Sequence, residues 1–599
     1  MAWAVVFCDI GTSVYYVPGI LYGNVHNKTP FFVLLTTIGF VLLALKYIEI
    51  TWRNPEGGGV VTITTKAFGP LWGCTGGMLI ITSYFLTAAI SAVSGFQYVG
   101  GVFPSIDAHI VLLACVGLLT LALLNIIGIR ESATVALGMA AIALLADMVV
   151  IALSLQKMSL SQWWAALETI SPGKEMSLRD ILVGFGAAWL AFSGLESISQ
   201  LSPAMLFPLR RTTRAAMAAI VATMIITSPT LTTLSITLLP PEVKATQSER
   251  FISELASFSG GFTLKLAVVL TASSLLVFAA NTAIIGAYHI FLALSNRGFL
   301  PQIIGLRSQR FNTPHIAILI ATLVPISVIL STQGKLSLLG EMYAFGLLGA
   351  FAFSSLSLDV IRWRLGRRDL GFWIGLLTTG IVIVAWVTNL SEKYLATLFG
   401  GGLTAIGMIF ALGVRESWFM DILHRIPTIS RLQARAYRAS ENLVEEELKG
   451  LVTLADAVDL KPLYPSSTLI ALRGESHRLI QEGITRARGK GESALYCIYV
   501  EEWPGLFHGL TPHMPNEEGI QTLRHALQEV RDKNIEIIPI WSISYNAAEA
   551  IAKAAKQLDI NAVLVGSTKR SAFYHMLRGH VVKGLMSRLP HNCHLMICN

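Results

Sequence analysis

Charge is scarce in this sequence. Of its 599 residues only 14% are Asp, Glu, Lys or Arg, while 53% are hydrophobic and the mean hydropathy is +0.61. An average soluble chain is about 25% charged, so the scarcity excludes an ordinary soluble domain and leaves a polytopic membrane protein. Paired cysteine is also lacking. Cys8, Cys74 and Cys115 fall in apolar runs and Cys497, Cys593 and Cys598 in a polar tail, without paired spacing in any loop, so no disulfide framework is implied. The first apolar run has no basic n-region and no cleavage site, which excludes a signal peptide pattern. No catalytic triad, phosphate loop or metal set occurs in the apolar part, which argues against an enzyme and for no cofactor. The formal net charge of +8 would suit nucleic acid, but the basic residues of the apolar part sit mainly in short loops, where they orient a membrane protein. No nucleic-acid partner is expected.

What is present is a series of twelve apolar segments of spanning length. They run at residues 4–23, 30–50, 68–103, 108–129, 133–155, 181–205, 215–239, 264–294, 314–332, 336–360, 371–387 and 394–414. With the N-terminus inside, fourteen basic residues fall in inside loops, Lys46 and Arg310 among them, and eight in outside loops, Lys28 and Lys244 among them. This asymmetry predicts both termini in the cytoplasm of a plasma (inner) membrane protein. The eight residues before Asp9 span about 12 Å of helix, short of half a bilayer core of roughly 15 Å, which suggests that a tail precedes them.

Span 1 reads AVVFCDIGTSVYYVPGILYG. A lone carboxylate at bilayer depth costs on the order of 3 kcal/mol on insertion scales, so Asp9, Gly11, Thr12 and Ser13 together predict a broken helix lining a site. Span 6 has a second interruption, WLAFSGLESISQ, with Ser193, Gly194 and Glu196. Spans 1 and 6 hold the same place in two successive blocks of five, the sequence sign of a 5+5 inverted repeat with its site between the breaks. In span 3, Tyr84, Thr87 and Ser91 share one helical face, and Tyr343 of span 10 is placed to complete the ring. A single hydroxyl in a membrane helix usually bonds its own backbone; a face of them beside two carboxylates reads as a cation site. Neutral oxygens suit potassium, and no lysine or arginine stands near either break. Asp147 in span 5 is a further relay candidate. Asp359, beside Arg362, reads as interfacial, Lys265 as snorkelling, and His289 as packed.

The stretch VVFCDIGTSVYYVPG resembles the first-helix signature of the KUP-type potassium importers. PEGGG at Pro55 to Gly59, LVFAANTA around Asn281 and Thr282, and LSNRGFLP with FNTPH resemble the wider amino acid, polyamine and organocation (APC) superfamily, and the combination resembles the KimA branch of potassium importers. The resemblance implies a LeuT-like transporter whose cation site uses Asp9 and Tyr16, then Tyr84, Thr87 and Ser91, then Ser193 and Glu196, then Tyr343. Ser193 stands where that branch usually has threonine, and Cys8 where the signature has glycine. Glu196, between Leu195 and Ile198, is expected to couple protons, since burial disfavours a charged carboxylate.

After residue 414 the composition changes. Residues 415–466 read as a charged linker with an amphipathic helix, and 467–599 as a small cytoplasmic α/β domain with alternating strands and helices. The domain resembles a universal stress protein, whose nucleotide-binding form has a Gly-x-x-Gly loop closing on Gly-Ser or Gly-Thr. Here Gly566 opens the loop, Lys569 replaces its second glycine, and Gly579 is followed by His580. Amides that approach a triphosphate need those glycines, which leaves a regulatory anion or nucleotide to Lys569, Arg570 and His580. His591, Cys593, His594 and Cys598 read as packed strand residues rather than a metal set. The expected whole is a secondary transporter of potassium and protons in the lipid bilayer, with a homodimer formed through its tail. The alternatives are an amino-acid or amine permease of the same fold and a non-transporting nutrient sensor.

Overall fold

A computed structural model describes residues 2–598 apart from 56, 129–132, 173–175, 203–204, 206–207, 309, 312, 416–449, 462, 464, 475, 493, 503–516, 531–532, 534, 545, 567–580 and 591. The chain divides into two compact units, Met1–Val414 and Arg415–Asn599. The first is helical and the second carries a parallel sheet.

In the first unit, eleven stretches among the described residues are long and apolar enough to cross a membrane. One of them, Trp3–Arg53, is 51 residues long, about 77 Å of helix and far more than one crossing needs. It comprises α1 (Ala2–Ile10), α2 (Ser13–Val25) and α3 (Thr29–Arg53), and therefore holds the first two predicted spans. α4 (Gly59–Phe68) follows the PEGGG motif, where Gly57, Gly58 and Gly59 all take positive φ and turn the chain. Span 3 is α5 (Pro70–Gly100), span 4 α6 (Ile110–Ile127) and span 5 α7 (Ala133–Gln156). A short capped helix, α8 (Leu160–Ile170), comes next, with Leu160, Trp164 and Leu167 exposed as befits a membrane interface. Span 6 is broken into α9 (Leu178–Ala188), a 3-10 turn at Trp189–Phe192 and α10 (Ser197–Gln200). The rest are α11 (Leu209–Leu238), the short α12 (Pro241–Thr246), α13 (Phe251–Asn296), α14 (His315–Thr332), α15 (Leu336–Arg364), α16 (Leu370–Glu392) and α17 (Tyr394–Arg415). α13 begins thirteen residues before its predicted start and bends at Gly261, where φ is +73°. The polar residues of Phe251–Gly260 hid this extra piece from a hydropathy reading.

Two charges sit elsewhere than predicted. Lys46, expected in an inside loop, is 2% exposed, and Asp359, expected at the interface, is 3% exposed. The Lys46 ammonium bonds Asp359 at 2.7 Å, Ser355 Oγ at 2.8 Å, Thr379 Oγ1 at 2.7 Å and the Ser355 carbonyl at 3.0 Å. The pair joins α3, α15 and α16, because a buried ammonium with four oxygen partners is tolerated where an unpaired one is not. Lys265 likewise pairs with Glu254 at 2.8 Å rather than snorkelling.

The loop asymmetry survives the loss of Lys46 as a loop charge, and it gives a test of orientation. In a cysteine-free background, cysteines at Asn27 and Gln247 should react with an impermeant thiol reagent in intact cells, and one at the exposed Arg310 should not. The reverse pattern would place both termini outside.

The second unit has a six-stranded sheet, β1 (Val452–Thr453), β2 (Thr468–Leu472), β3 (Ala494–Glu502), β4 (Glu536–Ser544), β5 (Ala562–Gly566) and β6 (His594–Cys598), in the order β1-β4-β3-β2-β5-β6. Every pairing is parallel. Apolar clusters cover both faces, as near-continuous apolar strands require. β1 and the helix Leu454–Leu460, capped by Thr453, lie inside the predicted linker, so the sheet begins earlier than Ser467. A two-residue strand is too short to show in the sequence. The remainder of that linker, 416–449, lies outside the described residues.

Candidate functional site

The break in span 1 forms where α1 ends at Ile10. Gly11 N–H still reaches the Phe7 carbonyl at 2.8 Å, and a Cβ on Gly11 would meet that oxygen at 2.5 Å, so the tight turn demands glycine. Thr12 and Ser13 then turn back on the chain. The Thr12 hydroxyl donates to the Asp9 carbonyl at 2.6 Å, and the Ser13 hydroxyl lies 2.7 Å from the Ile10 carbonyl and 2.6 Å from the Ala191 carbonyl across in the other break. These hydroxyls cap the released carbonyls, and each keeps lone pairs that a cation can use.

The break in span 6 supplies the matching half. Gly194 takes φ of +95°, and a Cβ there would meet Asp9 Cγ at 2.8 Å and Ile10 N at 2.9 Å. Only glycine lets the two breaks touch. Asp9 and Glu196 are each 3% exposed. Asp9 Oδ2 accepts the Ser197 hydroxyl at 2.5 Å, and Glu196 Oε2 accepts the Gly194 N–H at 3.2 Å. Asp9 acts on Glu196 electrostatically, and among the described residues no lysine or arginine is one of the groups acting on either carboxyl.

Hydroxyls close the ring. The Tyr16 phenol lies near Ser193, Asp9, Thr12 and Glu196, and the Tyr343 phenol near Glu196, Tyr16, Ser193 and Ser83. Thr87 donates to the Tyr343 oxygen at 2.9 Å, joining α5 to α15. Tyr84 lies near both carboxyls and receives a hydrogen bond from Gln200. The hydroxyls of Ser83, Ser91 and Ser193 are buried and make no geometrically complete hydrogen bond. The structure thus brings together Asp9, Gly11, Thr12, Ser13, Tyr16, Tyr84, Thr87, Ser193, Glu196 and Tyr343. Ser91, two turns along from Tyr84, is buried without a hydrogen bond to the others.

Sequence reasoning places Ser197 and Ser199 in the interruption of span 6 without a role in the site, and it missed Gln200 and Tyr47, the last of which acts on Glu196 electrostatically. Ser197 and Ser199 share the interrupted run, and nothing in the sequence favours one; the fold turns Ser197 to Asp9 and Ser199 to its own backbone at the Glu196 carbonyl. A ring of oxygens around two buried carboxyls, with no fixed cation, can hold a proton, a monovalent cation or the ammonium group of an amine.

In the second unit, β2 lies between β3 and β5, and Ala471 pairs with Val565. The order of strand addition reverses between β2 and β5, which is where open α/β sheets bind ligands. Gly566 ends β5 at that point and is exposed. Lys569, Arg570, Gly579 and His580 lie outside the described residues, as does His591. Among the described residues no group of three or more His, Cys, Asp or Glu is placed to hold a metal ion.

The amino acid permease family matches residues 2–409, and the universal stress protein family matches residues 470–596. Over 340 residues the chain is 26% identical to the potassium transporter KimA of Bacillus subtilis (strain 168), an alignment that covers 56% of this chain and 54% of that protein. The chain therefore spans about half the length of that relative.

Proposed function

The chain belongs to the amino acid permease family, and we propose that this multi-pass membrane protein imports potassium together with protons across the plasma membrane. The observation that carries the reading is the contact of two helix breaks that bury Asp9 and Glu196 side by side, ringed by hydroxyls and, among the described residues, without a basic partner. A pair of carboxyls in a low-dielectric site cannot both stay charged unless a cation joins them. Potassium accepts such neutral oxygens in place of its hydration shell. The potassium transporter named among its relatives supports the same substrate.

Asp9 is assigned to the ion and Glu196 to the proton. Asp9 has Ser197 as a hydroxyl donor at 2.5 Å, whereas the Glu196 carboxyl is met by backbone N–H groups, that of Gly194 at 3.2 Å. The second unit is assigned to regulation through the switch point at Gly566, and to dimerisation. An amino-acid or amine substrate is the reading that the family alone would favour. Growth and uptake in cells lacking potassium import decide between them. Potassium-dependent rescue at micromolar to millimolar external potassium is expected, without faster uptake of amino acids or polyamines. Amino-acid uptake without potassium rescue would overturn the proposal.

A further inference from the structure

Asp147 lies in α7, outside the ion site, and is 2% exposed. Its hydrogen-bond partner among the described residues is the Tyr15 phenol of α2, at 3.2 Å to Oδ1 and 3.3 Å to Oδ2. The phenol is shared between the two carboxyl oxygens, and no cationic side chain is within salt-bridge distance of them among the described residues. The buried side chains of α7 one turn to either side, Ala143, Val150 and Ile151, carry no oxygen, and Ser154, two turns on, is bonded to Ser259 at 2.5 Å. Potassium needs a ring of oxygens, and one carboxyl with one phenol does not make one. A proton is the ligand that this pocket fits.

The elements packed on α7 bring few other charges. α1 carries Asp9, engaged with Ser197; α13 carries Glu254 and Lys265, paired with each other, and His289; α11 carries Arg210, Arg211 and Arg214 in its first turns; Tyr98 of α5 also acts on Asp147 electrostatically. Arg250, at the start of α13, is paired with Asp107.

Tyr15 is also where the outer half of span 1 is fastened. Tyr98 donates to the Tyr15 carbonyl at 2.8 Å. One turn on, Gly19 is in backbone contact with Ser248, since a Cβ there would lie 2.0 Å from the Ser248 carbonyl oxygen. Tyr22 meets Phe251 edge to face at 5.5 Å. α2 is thus tied to α7 and α5 through Tyr15 and closed against the turn before α13. Tyr16, the next residue, reaches the ion site from the same half-helix.

We infer that Asp147 is a second proton-binding site, loaded when the outer half of span 1 closes on α7 and emptied when that half-helix opens to water. The closed arrangement buries the carboxyl without a countercharge and so favours its protonated form; water reaching an open arrangement favours the charged form. By linkage, proton binding closes α2, and closure from the outside takes a proton with it. This deepens the proton-coupled reading above and rests on it, so its test uses neither potassium nor flux.

Leu21, on the same half-helix, is fully buried in the closed arrangement. A Leu21→Cys reporter in an otherwise cysteine-free full-length chain can be labelled with a thiol reagent in proteoliposomes only when that half-helix opens, with rates corrected for thiolate fraction using a cysteine at the exposed Asn27. Labelling is expected to rise several-fold between external pH 5.5 and 8. With Asp147→Asn added, or Asp147→Leu as a second neutral variant, labelling should stay at the low value at every pH. A wild-type pH response in both neutral variants would overturn the assignment. So would a uniform rise at all pH, which would show that Asp147 only packs α2 in place. Either outcome leaves the substrate of the Asp9 site untouched, so the two readings fail separately.

Discussion

Asp9→Asn is expected to raise the potassium concentration for half-maximal uptake by roughly 30- to 1000-fold while leaving the protein folded. Removing one member of a buried, hydrogen-bonded charge contact costs about 2–4 kcal/mol, and each 1.4 kcal/mol is about tenfold. Asparagine retains the shape and an oxygen for the Ser197 hydroxyl. It removes the charge that sits where the two breaks touch. Initial rates of rubidium or potassium uptake into proteoliposomes, over a wide concentration range, measure the shift. Half-saturation within threefold of wild type would show that Asp9 does not contact the ion.

Glu196→Gln is expected to do the opposite. Glutamine is neutral, like the protonated glutamate, and it keeps an oxygen to accept the Gly194 N–H. Half-saturation should therefore stay within about threefold, and downhill potassium flux should persist. Accumulation against a potassium gradient should vanish, because a group that cannot release a proton cannot link the two gradients. The wild type should accumulate more potassium as the outside is made more acidic than the inside; in the variant the final level should not follow that difference, while external pH acting through Asp147 still alters the rate of approach to it. Wild-type accumulation in Glu196→Gln would move the proton to Asp147 alone. The paired variants thus divide the roles of two carboxyls that share one pocket.

The breaks were legible in the sequence because bilayer physics forbids what those stretches contain. An aspartate and a glycine in an apolar run leave few structural solutions, and the structure has the expected one at Gly11 and again at Gly194. The hydroxyl face of span 3 was legible through helical spacing, and Thr87 does meet Tyr343. Long-range partners were not. The pairing of Lys46 with Asp359, 313 positions apart, follows from how α3 packs beside α15, and local composition carries no trace of it. Tyr15 and Asp147, 132 positions apart, are hidden for the same reason. In the second unit the strand pattern was plain from alternating apolar runs. The short β1 was not, since two residues make no pattern and only the neighbouring β4 makes them a strand.

Binding of the ion to the purified protein tests the central claim most directly. Rubidium binding to the full-length chain in detergent, in a sodium background, is expected to be saturable, to be displaced by potassium, and to weaken at least about thirtyfold in Asp9→Asn by the buried-charge argument. Neither amino acids nor polyamines should displace it. Saturable binding of an amino acid at this site, with no rubidium binding that potassium displaces, would contradict the account.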